Sequence, residues 1–273
     1  MRLAVAGATG RMGRAIAALA RDAGDVQLVG GIARTSREGA EAEALGYPAV
    51  TTPADAGAIL RAADVLIDVS APAALEELLR RYAPELEGRA LVVGTTGLDA
   101  GVTAQLDAAA ERSAVLVAAN FSVGANVLLF LVEEAARLLA AERFDAEIVE
   151  AHHRRKADAP SGTALALGAA VARARGQALE RVRRDGRSGR TGERAVGEIA
   201  FHALRGGGVV GEHRVHFLGE RERLELAHAA ADRSVFAEGA LETARWLAGR
   251  PAGRYSMRDV LGGMAAGGTA RGN

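Results

Sequence analysis

The sequence predicts an α/β protein: one parallel sheet with helices on both faces, and a second, smaller α+β domain with a mixed or antiparallel sheet. Three observations support this. Short apolar runs alternate with helical stretches over the first 120 residues, a glycine-rich turn follows the first run, and period-two alternation begins after about residue 144. The length of 273 residues fits two domains at roughly 150 residues each.

Five apolar runs in the first half are expected to be strands, because strands covered on both faces are apolar almost throughout. They are Leu3–Ala6, Val26–Ile32, Val65–Val69, Ala90–Val93 and Val115–Ala118. Helices are expected between them at Arg11–Arg21, Ala54–Leu60, Pro72–Tyr82 and Asp99–Glu111. Alternation of strands and helices in this order is typical of a parallel sheet.

The second half of the chain predicts strands with two unlike faces. One face of Glu198–Arg205 and one face of Glu212–Leu218 carry apolar residues at every second position. This period favours a largely antiparallel sheet, with Gly206–Gly208 as a turn between the two strands. The tail, Phe236–Leu261, returns to helical spacing and is expected to pack on the first domain.

Charge and cysteine content exclude several classes of function. Lys+Arg and Asp+Glu number 34 each, so no excess of positive charge is present to hold nucleic acid or an anionic membrane. Six arginines lie between Arg181 and Arg194, but no aromatic residue is interleaved to stack on bases, so this stretch is predicted to be a loop, either solvated or mobile near an anionic ligand. The absence of cysteine rules out disulfides, thiolate metal sites and thiol nucleophiles.

No segment is predicted to direct the chain into or across a membrane. The apolar start resembles a secretory signal for only a few residues before Arg11 and Arg14 interrupt it, so no such signal is expected. The uncharged stretch Ala114–Val132 is long enough to cross a bilayer, but its middle, Asn120–Asn126, has turn and cap residues. A strand, a turn and a buried helix are therefore expected there, and the protein is expected to be cytoplasmic.

The turn Gly7–Gly13 follows the first strand and begins the first helix with the spacing G-x-x-G-x-x-G. In a dinucleotide site the first glycine permits the tight turn, and the second lets backbone approach the pyrophosphate at the helix N-terminus. The alternative is a tight turn without a ligand. The candidate contacts here are Gly7, Ala8, Thr9, Gly10, Arg11 and Met12.

The end of the second strand indicates which nucleotide is preferred. An acid there would hold the ribose 2′-hydroxyl of NAD, but this chain reads Ala33-Arg34-Thr35-Ser36-Arg37. Arginines and hydroxyls suit a 2′-phosphate. We therefore expect NADPH to be preferred over NADH, with Arg34 as a contact.

The densest polar segment runs from Glu147 to Thr163 and contains His152, His153 and Lys156. Lys156 is the only lysine among the 34 cations. Lysine can release a proton, whereas guanidinium stays protonated, so a chemical role is indicated. Adjacent histidines on a strand point to opposite faces, and no zinc motif is present, so no metal site is predicted.

A helix predicted at Ala164–Val171 begins directly after this segment. Pro160 and Ser161 are start signals, which leaves the amides of Gly162 and Thr163 available for a carboxylate. An imidazole, a lysine and an anion-binding helix start indicate an acid–base centre for a small anionic substrate. The residues alone thus predict a nicotinamide-dependent reductase of a carboxylated compound with a C=N or C=O bond.

The segment Glu150–Ala164 resembles the signature of the 4-hydroxy-tetrahydrodipicolinate reductase family of diaminopimelate and lysine synthesis. The resemblance covers nearly the whole chain. Other matching motifs are Gly7–Gly13, Gly94–Gly97, Ala119–Asn126, Thr191–Arg194, Val210–His213 and Met257–Leu261. It implies a Rossmann-like cofactor domain of residues 1–122 and 234–273, and a domain of residues 123–233 that binds the substrate and forms a homotetramer.

The resemblance also implies a reaction: NAD(P)H-dependent reduction of a small cyclic dicarboxylate, 4-hydroxy-tetrahydrodipicolinate, to tetrahydrodipicolinate with loss of water. His152 matches the family's proton donor and acceptor, and Lys156 its second proton donor. The family residues that hold the substrate carboxylates are matched by His153, Gly162, Thr163 and Arg233. Cofactor contacts are matched by Gly7, Met12, Gly94, Thr96, Ala118 and Phe121, and the same motifs add Thr95, Ala119 and Asn120. Many relatives have an acidic residue at the position of Ala33. Its absence here is a reason not to expect a preference for NADH.

Two other functions stay open. One is a different reductase of this architecture, acting for instance on an aspartate-derived aldehyde; semialdehyde dehydrogenase chemistry is excluded because a catalytic cysteine is lacking. The other is a nucleotide-sensing module without catalysis, which would not need Lys156. The remaining histidines, His202, His213, His216 and His228, are expected to be structural.

Overall fold

The protein, described here over residues 1–268 by a computed structural model, divides into two compact units. The first contains Met1–Ser122 and the chain from Ser234 onward, and the second is Val123–Arg233. Residues 269–273, which the sequence assigns to the cofactor domain, lie outside the described residues.

The strands and helices are numbered in chain order. The strands are β1 Arg2–Ala6, β2 Gln27–Ile32, β3 Val50–Thr51, β4 Val65–Asp68, β5 Ala90–Val93, β6 Ala114–Val117, β7 Asp145–His152, β8 Arg183–Asp185, β9 Ile199–Arg205, β10 Gly211–Leu218, β11 Arg223–Ala230 and β12 Gly253–Tyr255. The α-helices are α1 Arg11–Asp22, α2 Ala40–Glu43, α3 Gly57–Ala62, α4 Pro72–Arg81, α5 Ala83–Leu86, α6 Ala100–Ala110, α7 Val123–Leu138, α8 Gly162–Ala174, α9 Leu179–Val182, α10 Ser234–Leu247 and α11 Met257–Gly268.

The first unit contains the parallel sheet that the sequence predicts, so this part of the fold class is confirmed. Its strand order is β12-β6-β5-β4-β1-β2-β3, and every pairing is parallel. Helices cover both faces: Leu3 and Val5 of β1 pack with α1 and α10, whereas Ala4 and Ala6 pack with α3, α4 and α6. Burial on both faces explains why these strands are apolar throughout.

The differences from the predicted elements lie in short segments. The strands β3 and β12 are two and three residues long and form no recognisable apolar run. The helix expected at Ala54–Leu60 is wrong at its start, because Pro53–Asp55 forms a separate 3-10 turn before α3. The tail, expected to be helical, consists of α10 and α11 with β12 between them.

The second unit contains a five-stranded mixed sheet with the order β11-β10-β7-β9-β8. The β11–β10 and β10–β7 pairs are antiparallel. The expectation of a largely antiparallel sheet is wrong for the other two pairs, β7–β9 and β9–β8, which are parallel. The helix α8 lies between β7 and β9 in the chain. It brings the chain back to the edge of the sheet at which β7 begins, so β9 can pair with β7 in parallel.

The strand order of this sheet determines where the glycine turn Gly206–Gly208 lies. It connects β9 to β10, but these strands are not neighbours, because β7 lies between them. The turn therefore crosses the carboxyl end of β7, where the Gly206 amide donates to the His152 carbonyl at 3.0 Å. This arrangement puts the carboxyl ends of β7 and β9 and the start of β10 beside the segment that carries the candidate chemistry. Among the described residues, no helix has the length and apolarity that crossing a bilayer requires.

Candidate functional site

Gly7, in the turn after β1, and Gly13, in the first turn of α1, are required by close backbone contacts. Gly7 has φ +85°, and a Cβ there would lie 2.4 Å from the carbonyl oxygen of Val69. A Cβ at Gly13 would lie 2.3 Å from the carbonyl oxygen of Gly7. The Gly7 and Ala8 amides both donate to the carbonyl of Ile32, at 2.9 and 3.1 Å. The turn therefore joins the ends of β1, β2 and β4, and α1 packs directly on it.

The N-terminus of α1 can receive an anion. Gly10 is its N-cap, no side chain caps the first amides, and no acid lies in the first turn. Free amides and the helix dipole favour a negative group at such a position. The residues present therefore fit the pyrophosphate of a dinucleotide.

A cavity of about 660 Å³ in the first unit adjoins this helix start. Of the predicted cofactor contacts, Gly7, Thr9, Gly10 and Arg34 line it. Arg34 is exposed and has no hydrogen-bond or ion-pair partner among the described residues. By contrast, Arg37 pairs with Glu41 at 3.2 Å.

A second cavity of the first unit, of about 430 Å³, contains most of the remaining predicted contacts. These are Met12, Gly94, Thr95, Thr96, Ala119, Asn120 and Phe121. Ala8, Arg11 and Ala118 line neither cavity. Val69 and Ser70 line both, although the sequence analysis did not select them.

Asp68, which no sequence motif indicates, directly precedes Val69 and Ser70, which line both cavities. It ends β4, is fully buried, and accepts hydrogen bonds from the hydroxyls of Ser70, at 2.9 Å, and Thr95. Burial raises the pKa of this carboxyl group above its ordinary value. In the sequence, Asp68 is recognisable as an acid at the end of an apolar strand. Its carboxyl group connects the loops that follow β4 and β5, because Ser70 and Thr95 belong to these loops.

In the second unit, His152 is the last residue of β7, and its Nδ1 lies 2.6 Å from Oε2 of Glu150. The two residues are two positions apart on one strand, so their side chains share a face of the sheet. Glu150 is only 1% exposed. This period-two relation was present in the sequence, but Glu150 was not selected.

Glu150 has three further hydrogen bonds. Arg205, at the end of β9, donates to both carboxylate oxygens at 2.7 Å, and the amide of Ser161 donates to Oε1 at 3.0 Å. Burial alone would raise the pKa of Glu150, but the hydrogen bonds from Arg205 and His152 outweigh burial, and the pKa lies below its ordinary value. The buried group is therefore an ionised carboxylate.

His213, for which a structural role is expected from the sequence, lies against His152. The two rings meet edge to face with centroids 5.2 Å apart. Nε2 of His213 is 3.0 Å from the hydroxyl of Ser161, which also accepts the Ala164 amide as the N-cap of α8. Burial, with a smaller contribution from the nearby His152, lowers the pKa of His213 to about 4, so this ring is neutral near pH 7.

Lys156 and His153 lie in the turn after β7. Nζ of Lys156 is 2.9 Å from both carboxylate oxygens of Asp158, and the lysine side chain is 21% exposed. Burial, together with the positive charges of Arg233 and Arg155, lowers the pKa of His153. This turn therefore combines an imidazole with several positive charges, which suits an anionic ligand.

Gly162 and Thr163 are the first two residues of α8, as the start signals predict. The positive end of the helix dipole lies at this position, which suits a carboxylate. Arg233 is exposed at the end of the second unit, beyond β11. No group of three or more His, Asp or Glu side chains suited to a metal ion occurs in the described part of the chain.

Comparisons with known proteins identify the relatives of this chain. A family model described as "Dihydrodipicolinate reductase, N-terminus" matches residues 1–121, and one described as "Dihydrodipicolinate reductase, C-terminus" matches residues 124–261. A protein of Thiobacillus denitrificans named 4-hydroxy-tetrahydrodipicolinate reductase is 48% identical over 267 residues, 96% of this chain and 98% of the relative. One of Acidiphilium cryptum with the same name is 46% identical over 264 residues, 96% and 98% of the two chains.

A solved structure shares the fold. It is a dipicolinate-bound dihydrodipicolinate reductase from Paenisporosarcina sp. TG-14, with a TM-score of 0.69 and 24% identity, and the match covers 94% of this chain and 97% of that one. At this identity the likeness concerns the fold alone: the parallel sheet of seven strands and the second, mixed sheet.

Proposed function

The chain belongs to the dihydrodipicolinate reductase family, and we propose that it reduces 4-hydroxy-tetrahydrodipicolinate to tetrahydrodipicolinate with NAD(P)H and loss of water, in diaminopimelate and lysine synthesis. One observation carries the proposal. Residues 150–163 combine an imidazole paired to a buried carboxylate, the only lysine of the chain and the start of an α-helix. Those are the groups that proton transfer to a small dicarboxylate requires.

The reaction consumes one substrate, one NAD(P)H and one proton, and it yields tetrahydrodipicolinate, NAD(P)⁺ and one water. The nicotinamide, when bound, supplies the hydride. In our proposal the chain provides the proton: His152 donates or accepts it, and Lys156 is the second donor. The amides of Gly162 and Thr163 hold substrate carboxylates together with His153 and Arg233.

The first unit is proposed to bind the cofactor. The amides at the start of α1 would hold the pyrophosphate, and the cavity of about 430 Å³ would hold the nicotinamide side. Residues 123–233 are proposed to bind the substrate and to form the homotetramer; this assembly and a cytoplasmic location stay predictions.

The proposed function is tested by following NADPH oxidation with freshly generated 4-hydroxy-tetrahydrodipicolinate. Turnover with this substrate, and none with aspartate-derived aldehydes, would support the proposal. Turnover with an aldehyde alone would indicate a different reductase. NADPH binding without turnover of either compound would indicate a nucleotide-sensing module.

We further propose that NADPH is preferred over NADH, because Arg34 lines the cavity of about 660 Å³ and no acid lies at the end of β2. Replacing Arg34 by alanine is expected to raise KM for NADPH on the order of tenfold, about 1.4 kcal/mol, since one charge-assisted contact to phosphate is lost. KM for NADH should stay within about twofold, because NADH lacks the phosphate.

Arg37 provides the matched control, because it lies three residues further along but already pairs with Glu41. Steady-state kinetics of Arg37→Ala should match those of the wild type with both nucleotides. A clear preference of the wild type for NADH, or an equal loss with both nucleotides in Arg34→Ala, would contradict the assignment.

A further inference from the structure

The carboxylate of Glu150 has every acceptor position occupied. Arg205 donates to each oxygen, the Ser161 amide donates to Oε1, and Nδ1 of His152 lies 2.6 Å from Oε2. An ionised carboxylate accepts hydrogen bonds and donates none. The atom of His152 that faces it must therefore carry a hydrogen.

The other ring nitrogen of His152 is in a different environment. Its Nε2 makes no hydrogen bond within the described residues, and Gly211 adjoins it on β10. A Cβ at Gly211 would lie 3.1 Å from Nε2, closer than such atoms usually approach. The absence of a side chain at Gly211 leaves this side of Nε2 uncovered, and the His152 side chain is 12% exposed.

The neighbouring ring does not compete for the proton. His213 is 4% exposed and neutral near pH 7, and its Nε2 is occupied by the Ser161 hydroxyl. Arg205 neutralises the charge of Glu150 from the opposite side, so the carboxylate stays ionised although it is buried. Nδ1 of His213 also has no hydrogen-bond partner, but it is buried, whereas the side chain of His152 is 12% exposed.

We propose that Glu150 is a positioning residue: it holds the proton of neutral His152 on Nδ1, so that Nε2 is the nitrogen that gains and loses the proton of the reaction. This inference rests on the proposed function only for the identity of that reaction. In the donating step the Nε2–H bond breaks, the proton moves to the substrate, and the ring keeps the electron pair at Nε2. In the reverse step Nε2 accepts a proton, and Nδ1–H stays bonded to Glu150.

A purely structural role is the competing explanation. Glu150 also binds the Ser161 amide, so it fixes the start of α8 to the end of β7. Such a brace would affect stability and substrate binding, but not which ring nitrogen of His152 is protonated. The test therefore measures the tautomer directly.

The experiment is ¹⁵N solid-state NMR of histidine-labelled full-length protein at a pH where the ring of His152 is neutral. The resonances are assigned by their loss in His152→Gln. The proposal requires the Nδ1–H form in the wild type. It also requires a shift towards the Nε2–H form in Glu150→Gln, because an amide can turn its NH₂ towards Nδ1.

Steady-state kinetics provide a second readout. In Glu150→Gln, kcat should fall roughly 100-fold, as expected when a general acid–base group has the wrong tautomer, and KM for NADPH should be unchanged. Glu147→Gln is the matched control: this carboxylate on the same strand also binds a histidine, His202, at 2.7 Å, and two arginines. It faces the other side of the sheet, so the tautomer of His152 should not change.

An Nε2–H form of His152 in the wild type would overturn the proposal, and this measurement does not depend on whether Glu150→Gln folds. An unchanged tautomer in a folded Glu150→Gln protein would overturn it as well. If the wild type has the Nδ1–H form but does not reduce 4-hydroxy-tetrahydrodipicolinate, the proposed function fails while the tautomer inference is supported.

Discussion

Replacing Lys156 by arginine is expected to lower kcat by roughly 10³-fold, within the range of about 10²–10⁴ that a general acid contributes. The charge is kept, and a guanidinium can still pair with Asp158, whose two oxygens lie 2.9 Å from the ammonium. Guanidinium does not release its proton near neutral pH, so the second proton donor of our proposal is lost. The measurement is kcat with NADPH, alongside the circular dichroism spectrum and melting temperature, which should match the wild type.

The neighbouring Arg155 allows the reverse exchange as a control. It is exposed and has no ion-pair partner among the described residues, so Arg155→Lys should leave kcat and melting temperature unchanged. Near-normal turnover in Lys156→Arg would remove the argument that this residue donates a proton. A fall in melting temperature of several degrees would instead indicate a structural role.

The second large effect is expected at the turn that adjoins α1. Replacing Gly13 by alanine puts a methyl group 2.3 Å from the Gly7 carbonyl oxygen and 2.8 Å from Cα of Ala8, and both are backbone atoms that a rotamer change cannot move. The helix must therefore shift away from β1. We expect a loss of about 3 kcal/mol in the free energy of unfolding, the upper part of the usual range for overpacking.

The same shift moves the amides at the start of α1, so the affinity for NADPH should fall at least about tenfold. Urea unfolding gives the stability, and NADPH fluorescence titration gives the affinity. Gly24, in the turn after α1, is the matched control, because a Cβ there meets nothing within 4 Å. Gly24→Ala should change neither quantity, and a Gly13→Ala protein as stable as the wild type would contradict the packing argument.

Most of the first unit could be predicted from the sequence. The five expected strands match the observed ones to within one residue, since burial on both faces gives each a continuous apolar run. The glycine turn was equally readable, because its glycine spacing directly after an apolar run is a local pattern, although the contact that requires Gly7 is with the distant Val69. Short strands such as β3 and β12 were missed, because two or three residues are too few to show a hydrophobic periodicity.

The second unit was predictable as strands but not as a sheet. Alternation identifies a strand with two unlike faces and says nothing about the direction of its neighbour, so the sequence predicted a mixed or antiparallel sheet without indicating that β7 and β9 pair in parallel. The surroundings of His152 depend on that pairing. Arg205 reaches Glu150 only because β9 lies parallel to β7 in the register that opposes His152 to Arg205.

By itself, the sequence determined the parallel sheet, the nucleotide turn, the solitary lysine and the helix start at Ser161, because each depends on near neighbours along the chain. Only the tertiary structure decided that Glu150, Arg205 and His213 surround His152. Arg205 lies 55 positions from Glu150, and no local pattern records a contact made by strand order and register. In our proposal the reactive nitrogen of His152 follows from that contact, since an ionised carboxylate accepts hydrogen bonds and donates none, so the ring nitrogen that faces it carries the hydrogen.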